Sequence, residues 1–147
     1  MKLTPQALRT HVYDVLIERG LPPSCDDIGK HFGESADAIR TAIRDLKIGK
    51  TIILRPDGRE IWMAGPFAAE ATAFRVIGKR AAWWANCIWD AFGIAVIADE
   101  PVHVATHCPD CNEPLQLHAH PREPPTEDLV AHFLVPARAW YDDLGFT

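Results

Sequence analysis

The chain has 147 residues, 48% of them hydrophobic, and a net charge of −5, which gives enough apolar material for a core, argues against disorder over most of its length and excludes a strongly basic polyanion binder. The acidity is uneven: residues 1–66 carry 10 basic and 9 acidic side chains, residues 67–147 carry 5 and 11. No apolar run is long enough to cross a bilayer and residues 1–6 lack a signal-peptide pattern, so a cytoplasmic location is expected. In that reducing setting Cys25, Cys87, Cys108 and Cys111 read as thiols or metal ligands rather than as a disulfide framework.

Thr4 and Pro5 cap and open a first helix in which Leu8, Val12, Val15 and Leu16 recur at helical spacing, and Gly20 ends it. Ser24 caps a short second helix through Ile28 and His31 to Gly33; Ser35 caps a third, with Ile39, Ala42, Ile43 and Leu46 on one face. Residues 51–54 and 60–63, joined by Arg55-Pro56-Asp57-Gly58-Arg59, predict a β-hairpin. Three helices and a hairpin over residues 1–66 resemble a winged helix-turn-helix. In a DNA-bound module of that kind the third helix would carry Arg40, Arg44 and Lys47 to phosphates or bases. The same three residues also suit a solvated face balanced by Glu34, Asp37 and Asp45. A DNA-binding, metal- or thiol-responsive transcriptional regulator is therefore the alternative reading of the chain. Cys25 reads as a small, partly buried residue without a role.

Gly65-Pro66 marks the boundary to a second unit, residues 67–147. Residues 67–76 cross between the units, with a strand at 73–76; residues 81–92, rich in Ala and Trp, predict a buried helix running towards Gly93. Strands are expected at 94–98, 102–106, 114–119 and 129–135, an exposed acidic loop at 121–128, and a last helix from Pro136 through Trp140 and Tyr141. The class is α+β: a three-helix module with a β-hairpin, then a small mixed helix and antiparallel-sheet domain.

Two clusters carry chemistry. In Trp84-Ala85-Asn86-Cys87-Ile88-Trp89-Asp90 a thiol and a carboxyl stand three apart, which places Cys87 and Asp90 on one helix face. A thiolate suits a soft metal or an electrophilic carbon, and the carboxyl can move a proton; an inert buried cysteine beside a capping aspartate has the same spacing. Trp83, Trp84 and Trp89 either line an apolar pocket or fill the core, and packing accounts for at least two of them. Cys108-Pro109-Asp110-Cys111 has zinc-knuckle separation, to be completed by Cys87 or by two of His107, His118 and His120; a tight turn with free thiols is the plainer reading. His11, His31, His103 and His132 are explained by packing or solvation.

A winged-helix-like module, a helix bearing Cys-x-x-Asp and a strand pair leading into His107-Cys108 resemble the alkylmercury (organomercurial) lyase family, most specifically from Trp84 to Pro121. The resemblance implies a lyase-like domain over residues 67–147 and protonolysis of carbon–mercury bonds in mercury detoxification. Cys87 would be the thiolate that captures mercury and Asp90 the proton shuttle. The cysteine matching Cys108 is structural in the family, and Cys111 lies outside its pattern. No external cofactor is implied; mercury is substrate and product ion, cellular thiols are the partners that remove it, and zinc stays the alternative at Cys108 and Cys111. The family's second catalytic cysteine follows a segment like residues 136–147, and the sequence stops at Thr147, where that cysteine is expected. The expectation is a chain truncated at a codon for cysteine or selenocysteine, which binds mercury if it does not cleave, or a fold relative with another role.

Overall fold

The structure is a computed structural model that describes residues 2–45, 51–125, 128–140 and 142. Its first helices begin where a side chain satisfies the free N–H groups of a helix start. α1 (Pro5–Arg19) follows Thr4, whose hydroxyl accepts from the Ala7 N–H at 3.1 Å, and stops at Gly20 with φ 81°. Gly20 is required twice over, because a Cβ there would stand 2.3 Å from the Ala82 carbonyl oxygen. α2 (Cys25–Phe32) and α3 (Ala36–Asp45) are capped by Ser24 and Ser35, which accept from the N–H groups of Asp27 and Ala38, each at 3.1 Å.

The strands are β1 (Ile52–Leu54), β2 (Ile61–Ala64), β3 (Phe67–Ala68), β4 (Arg75–Ile77), β5 (Ala82–Ala85), β6 (Val102–His107) and β7 (Pro114–Ala119), with α4 (Ile88–Ala98) between β5 and β6. They form one antiparallel sheet in the order β1-β2-β3-β5-β4-β6-β7, which crosses Gly65-Pro66 without a break. Side chains alternate across it. Val76, Trp83, Ala85, Val104 and Leu117 face the helices and join Leu8, Val12, Leu16 and Ile94 in one core. The Trp83 indole N–H donates to the Leu16 carbonyl at 2.7 Å, tying α1 to β5. On the opposite face the Arg75 guanidinium lies 4.4 Å from the Trp84 ring centre, and His103 meets His118 across β6 and β7. The class is α+β.

Several expected elements differ. Residues 81–92 are not one helix: Ala82–Ala85 is a strand, and the helix runs Ile88–Ala98, through the strand expected at 94–98. Pairing with β3 and β4 decides the first difference; the second follows from α4 being apolar on all sides, which erases the periodicity that separates helix from strand. The strand at 73–76 is shifted to Arg75–Ile77, and β3 was unanticipated. Residues 129–135 form no strand, for they pair with neither sheet edge, and Leu129, Val130 and Leu134 are exposed. The last helix is a single 3-10 turn, Ala137–Ala139; Tyr141, like Leu46, expected on the third helix, lies outside the described residues.

Candidate functional site

The corner where β5 turns into α4 brings the thiol and the carboxyl together. Cys87 is the N-cap of α4, with an extended backbone (φ −149°, ψ 178°), and its Sγ accepts from the Asp90 N–H at 3.4 Å. A helix start needs an acceptor at this point, and here sulfur supplies it. Asn86 holds the other side of Asp90. Its Nδ2 donates to Asp90 Oδ2 at 3.1 Å and to the Pro66 carbonyl at 3.0 Å, while its backbone N–H reaches the same carbonyl at 3.3 Å. Among the described residues, Asn86 Oδ1 is buried without a hydrogen-bond partner.

Burial dominates the electrostatics. It pushes the Cys87 thiol up, and the Asp90 charge adds to that, against the N–H groups of Asp90 and Trp89 that favour the thiolate. Burial likewise pushes the Asp90 carboxyl above its ordinary value, opposed by hydrogen bonds from Asn86 and Cys87. Both groups therefore hold their protons more firmly than in water. Tyr13 approaches from α1: its hydroxyl donates to the Gly65 carbonyl, and after burial and Arg9 the Asp90 charge is among the influences on its pKa. Cys25 contrasts with Cys87. Burial, then Glu60, pushes its thiol to about 11, and its N–H is tied to the Glu60 carboxylate at 2.8 Å.

The three tryptophans part company. Trp83 is fully buried in the core, Trp84 lies against Arg75 on the open face, and Trp89, in the first turn of α4, is 66% exposed. Cys108 and Cys111 sit in the β6–β7 turn, about twenty residues along the chain from Cys87, and both are free thiols. The N–H groups of Cys111 and Asp110 and the Cys111 thiol pull the Cys108 pKa down. Among the described residues no group of three or more His, Cys, Asp and Glu is placed to hold a metal ion. His107 ends β6, exposed; His118 meets His103, ring centres 4.5 Å apart; His120 is 3.7 Å from Glu123.

Arg40 and Arg44 turn back onto the hairpin. Arg40 donates to the Arg59 carbonyl at 2.9 Å and to Asp37 at 2.7 Å, and Arg44 to the Gly58 carbonyl at 3.0 Å. With Arg59, Asp37 and Asp57 they line a groove of mixed charge between α3 and the hairpin turn. Lys47 lies outside the described residues. Sequence reasoning gave no part to Asn86, Tyr13 or the Pro66 carbonyl. Asn86 stood inside the stretch singled out, but its partner lies 20 residues away, which no local pattern reports.

Comparison with known proteins adds the family. Among curated proteins none matches the sequence. Among solved structures the fold is similar to the mercury-bound form of MerB2, with a TM-score of 0.59 and 14% identity, over 79% of this chain and 57% of that one. This chain thus spans little more than half the length of that protein. The family model for alkylmercury lyase (MerB) matches residues 67–146, more than half of the chain and the whole of the corner that bears Cys87 and Asp90. On that match, the chain belongs to the alkylmercury lyase family.

Proposed function

We propose that this chain cleaves carbon–mercury bonds by protonolysis, with Cys87 as nucleophile and Asp90 as proton carrier. The observation that carries the reading is the contact itself: a half-buried thiol capping the helix whose third residue is a half-buried carboxyl. The Cys87 thiol passes its proton to the Asp90 carboxylate as sulfur bonds to mercury. Electron density pushed through mercury onto carbon makes that carbon basic; Asp90 delivers the proton to it, and the carbon–mercury bond breaks. The balance is one thiol and one organomercurial in, one hydrocarbon and one Cys87-bound Hg(II) out, with the proton moved from sulfur to carbon. Cellular thiols then exchange the ion away. The direction of the Asp90 shift suits this duty, since burial makes its carboxylate a stronger base towards the Cys87 proton than one in open water. The DNA-binding reading draws no such support: Arg40 and Arg44 spend hydrogen bonds on the hairpin's own carbonyls.

The test is incubation with phenylmercury and excess low-molecular-weight thiol, with benzene measured by headspace gas chromatography. Benzene is expected from the native chain and not from Cys87→Ser or Asp90→Asn. Release no greater than that of Cys87→Ser refutes the reading.

A further inference from the structure

Cys108 and Cys111 lie outside this corner, in the β6–β7 connection, which is a tightly closed turn. The Cys108 N–H donates to the Glu113 carbonyl at 2.9 Å, and the Asn112 N–H returns to the Cys108 carbonyl at 2.9 Å. The second bond spans four residues, as in one turn of helix, and Asn112 ends it in the left-handed region at φ 59°. Residues three apart on such a turn face the same side. The Cys111 thiol is accordingly a neighbour of the Cys108 sulfur. Cys111 is exposed, Cys108 is half-exposed, and both are reduced.

Counting ligands selects the cation. Structural zinc takes four, and among the described residues nothing assembles a third around this pair. Two thiolates alone satisfy a soft ion of low coordination number, the class to which Hg(II) and Cu(I) belong. A linear sulfur–metal–sulfur unit needs sulfurs about 4.6 Å apart, twice a metal–sulfur bond of about 2.3 Å. Cβ atoms about 5–6 Å apart, as at this spacing, meet that by side-chain rotation alone.

We propose that Cys108 and Cys111 form a chelating dithiol site for one soft, two-coordinate cation, distinct from Cys87. Each Hg(II) taken from two monothiolates forms two bonds to the turn, and the two cysteine protons pass to the departing thiolates. The second bond closes within the chain, so the pair outcompetes monothiols by its high effective concentration.

The test uses the full chain as the pre-reduced Cys87→Ser variant, titrated with Hg(II) against excess 2-mercaptoethanol, read by sulfur–mercury charge-transfer absorbance and by native mass. One Hg(II) per chain is expected. Adding Cys111→Ser is expected to weaken retention by about 10²-fold or more, and Cys108→Ser to do the same; Cys111, exposed at the surface, keeps the test decisive where Cys108→Ser fails to fold. Equal retention by the Cys111→Ser variant, no retention by the parent, or Zn(II) competing on equal terms overturns the proposal. Benzene release is not read, so the outcome is independent of carbon–mercury cleavage.

Discussion

Asn86 offers the sharpest probe of the corner, because aspartate keeps its shape while removing its donor. The amide nitrogen stands between two acceptors, Asp90 Oδ2 at 3.1 Å and the Pro66 carbonyl at 3.0 Å. Losing the bond to the carboxylate costs about 1.5–3 kcal/mol and the bond to the carbonyl about 0.5–1.5 kcal/mol. Asn86→Ala therefore loses about 2–4.5 kcal/mol of stability. Asn86→Asp adds a second carboxylate in the place of that nitrogen, and two unit charges at such a separation repel by up to about 5 kcal/mol at an effective dielectric constant near 20. The pair answers by keeping a proton, so its folded pKa rises above the ordinary carboxylate value. Stability of Asn86→Asp is then fullest below the unfolded pKa and is lost as pH rises through the folded one. Urea unfolding at about pH 7.5 and at about pH 4.5 reads this out. Asn86→Asp should be the less stable of the two variants at the higher pH and should close on Asn86→Ala at the lower. Native stability for Asn86→Asp at the higher pH, or a gap between the variants that does not narrow on acidification, refutes the geometry.

Asp90→Asn removes the charge that helps to hold the Cys87 thiol protonated, so alkylation of Cys87 by iodoacetamide at neutral pH should quicken several-fold; an unchanged rate counts against the contact. Because the folded pKa of Asp90 lies above its ordinary 3.8, ionisation costs stability as pH rises. Asp90→Asn should thus be more stable than the native chain near neutrality, with the advantage fading as pH falls through the folded pKa and gone below 3.8. Gly20→Ala would meet the Ala82 carbonyl oxygen at 2.3 Å in a left-handed backbone, and should lose about 2 kcal/mol or more in urea unfolding. Trp83→Phe gives up the bond to the Leu16 carbonyl, which keeps the Gly20 N–H at 2.9 Å, so the loss should be about 1 kcal/mol for that bond plus the cost of the smaller ring.

What the sequence discloses follows from the range of the interaction responsible. Thr4, Ser24 and Ser35 cap helices through atoms three residues away, and Gly20 and Gly33 end them by their own backbone freedom. Such signals are written locally, and the first three helices and the hairpin could be read from them. Ala82–Ala85 carries mixed local signs, since alanine favours helix and tryptophan favours strand, and pairing with Phe67–Ala68 and Arg75–Ile77 decides for the extended form. Ile88–Ala98 was hidden by its own apolarity, since Trp89, Val96 and Ile97 remain exposed on a helix that shows no polar face. The spacing of Cys87 and Asp90 survived the misplaced helix because an N-cap and the third residue after it are also three apart. The part of Asn86 was illegible for the opposite reason, as it depends on a carbonyl delivered by the crossing between β2 and β3.

Cys87 holds two duties that substitution can separate. In a capping box a Ser or Thr at the N-cap accepts from the N–H three residues on, and an acidic or amide side chain at that third position completes the motif. Cys87 and Asp90 occupy those two positions with sulfur in place of the hydroxyl oxygen. Serine is the better cap and alanine no cap at all, so Cys87→Ser should match or exceed the native stability while Cys87→Ala falls by about 1 kcal/mol. Capture of phenylmercury at position 87, read with Cys108 and Cys111 both replaced by serine, should run otherwise, with both variants losing it alike, because neither offers a soft ligand there. Thermal unfolding gives the first order and displacement of a coloured thiol from phenylmercury the second. If Ser and Ala prove equally destabilising, sulfur is not capping α4, and the thiol and the carboxyl are not held together by the helix start.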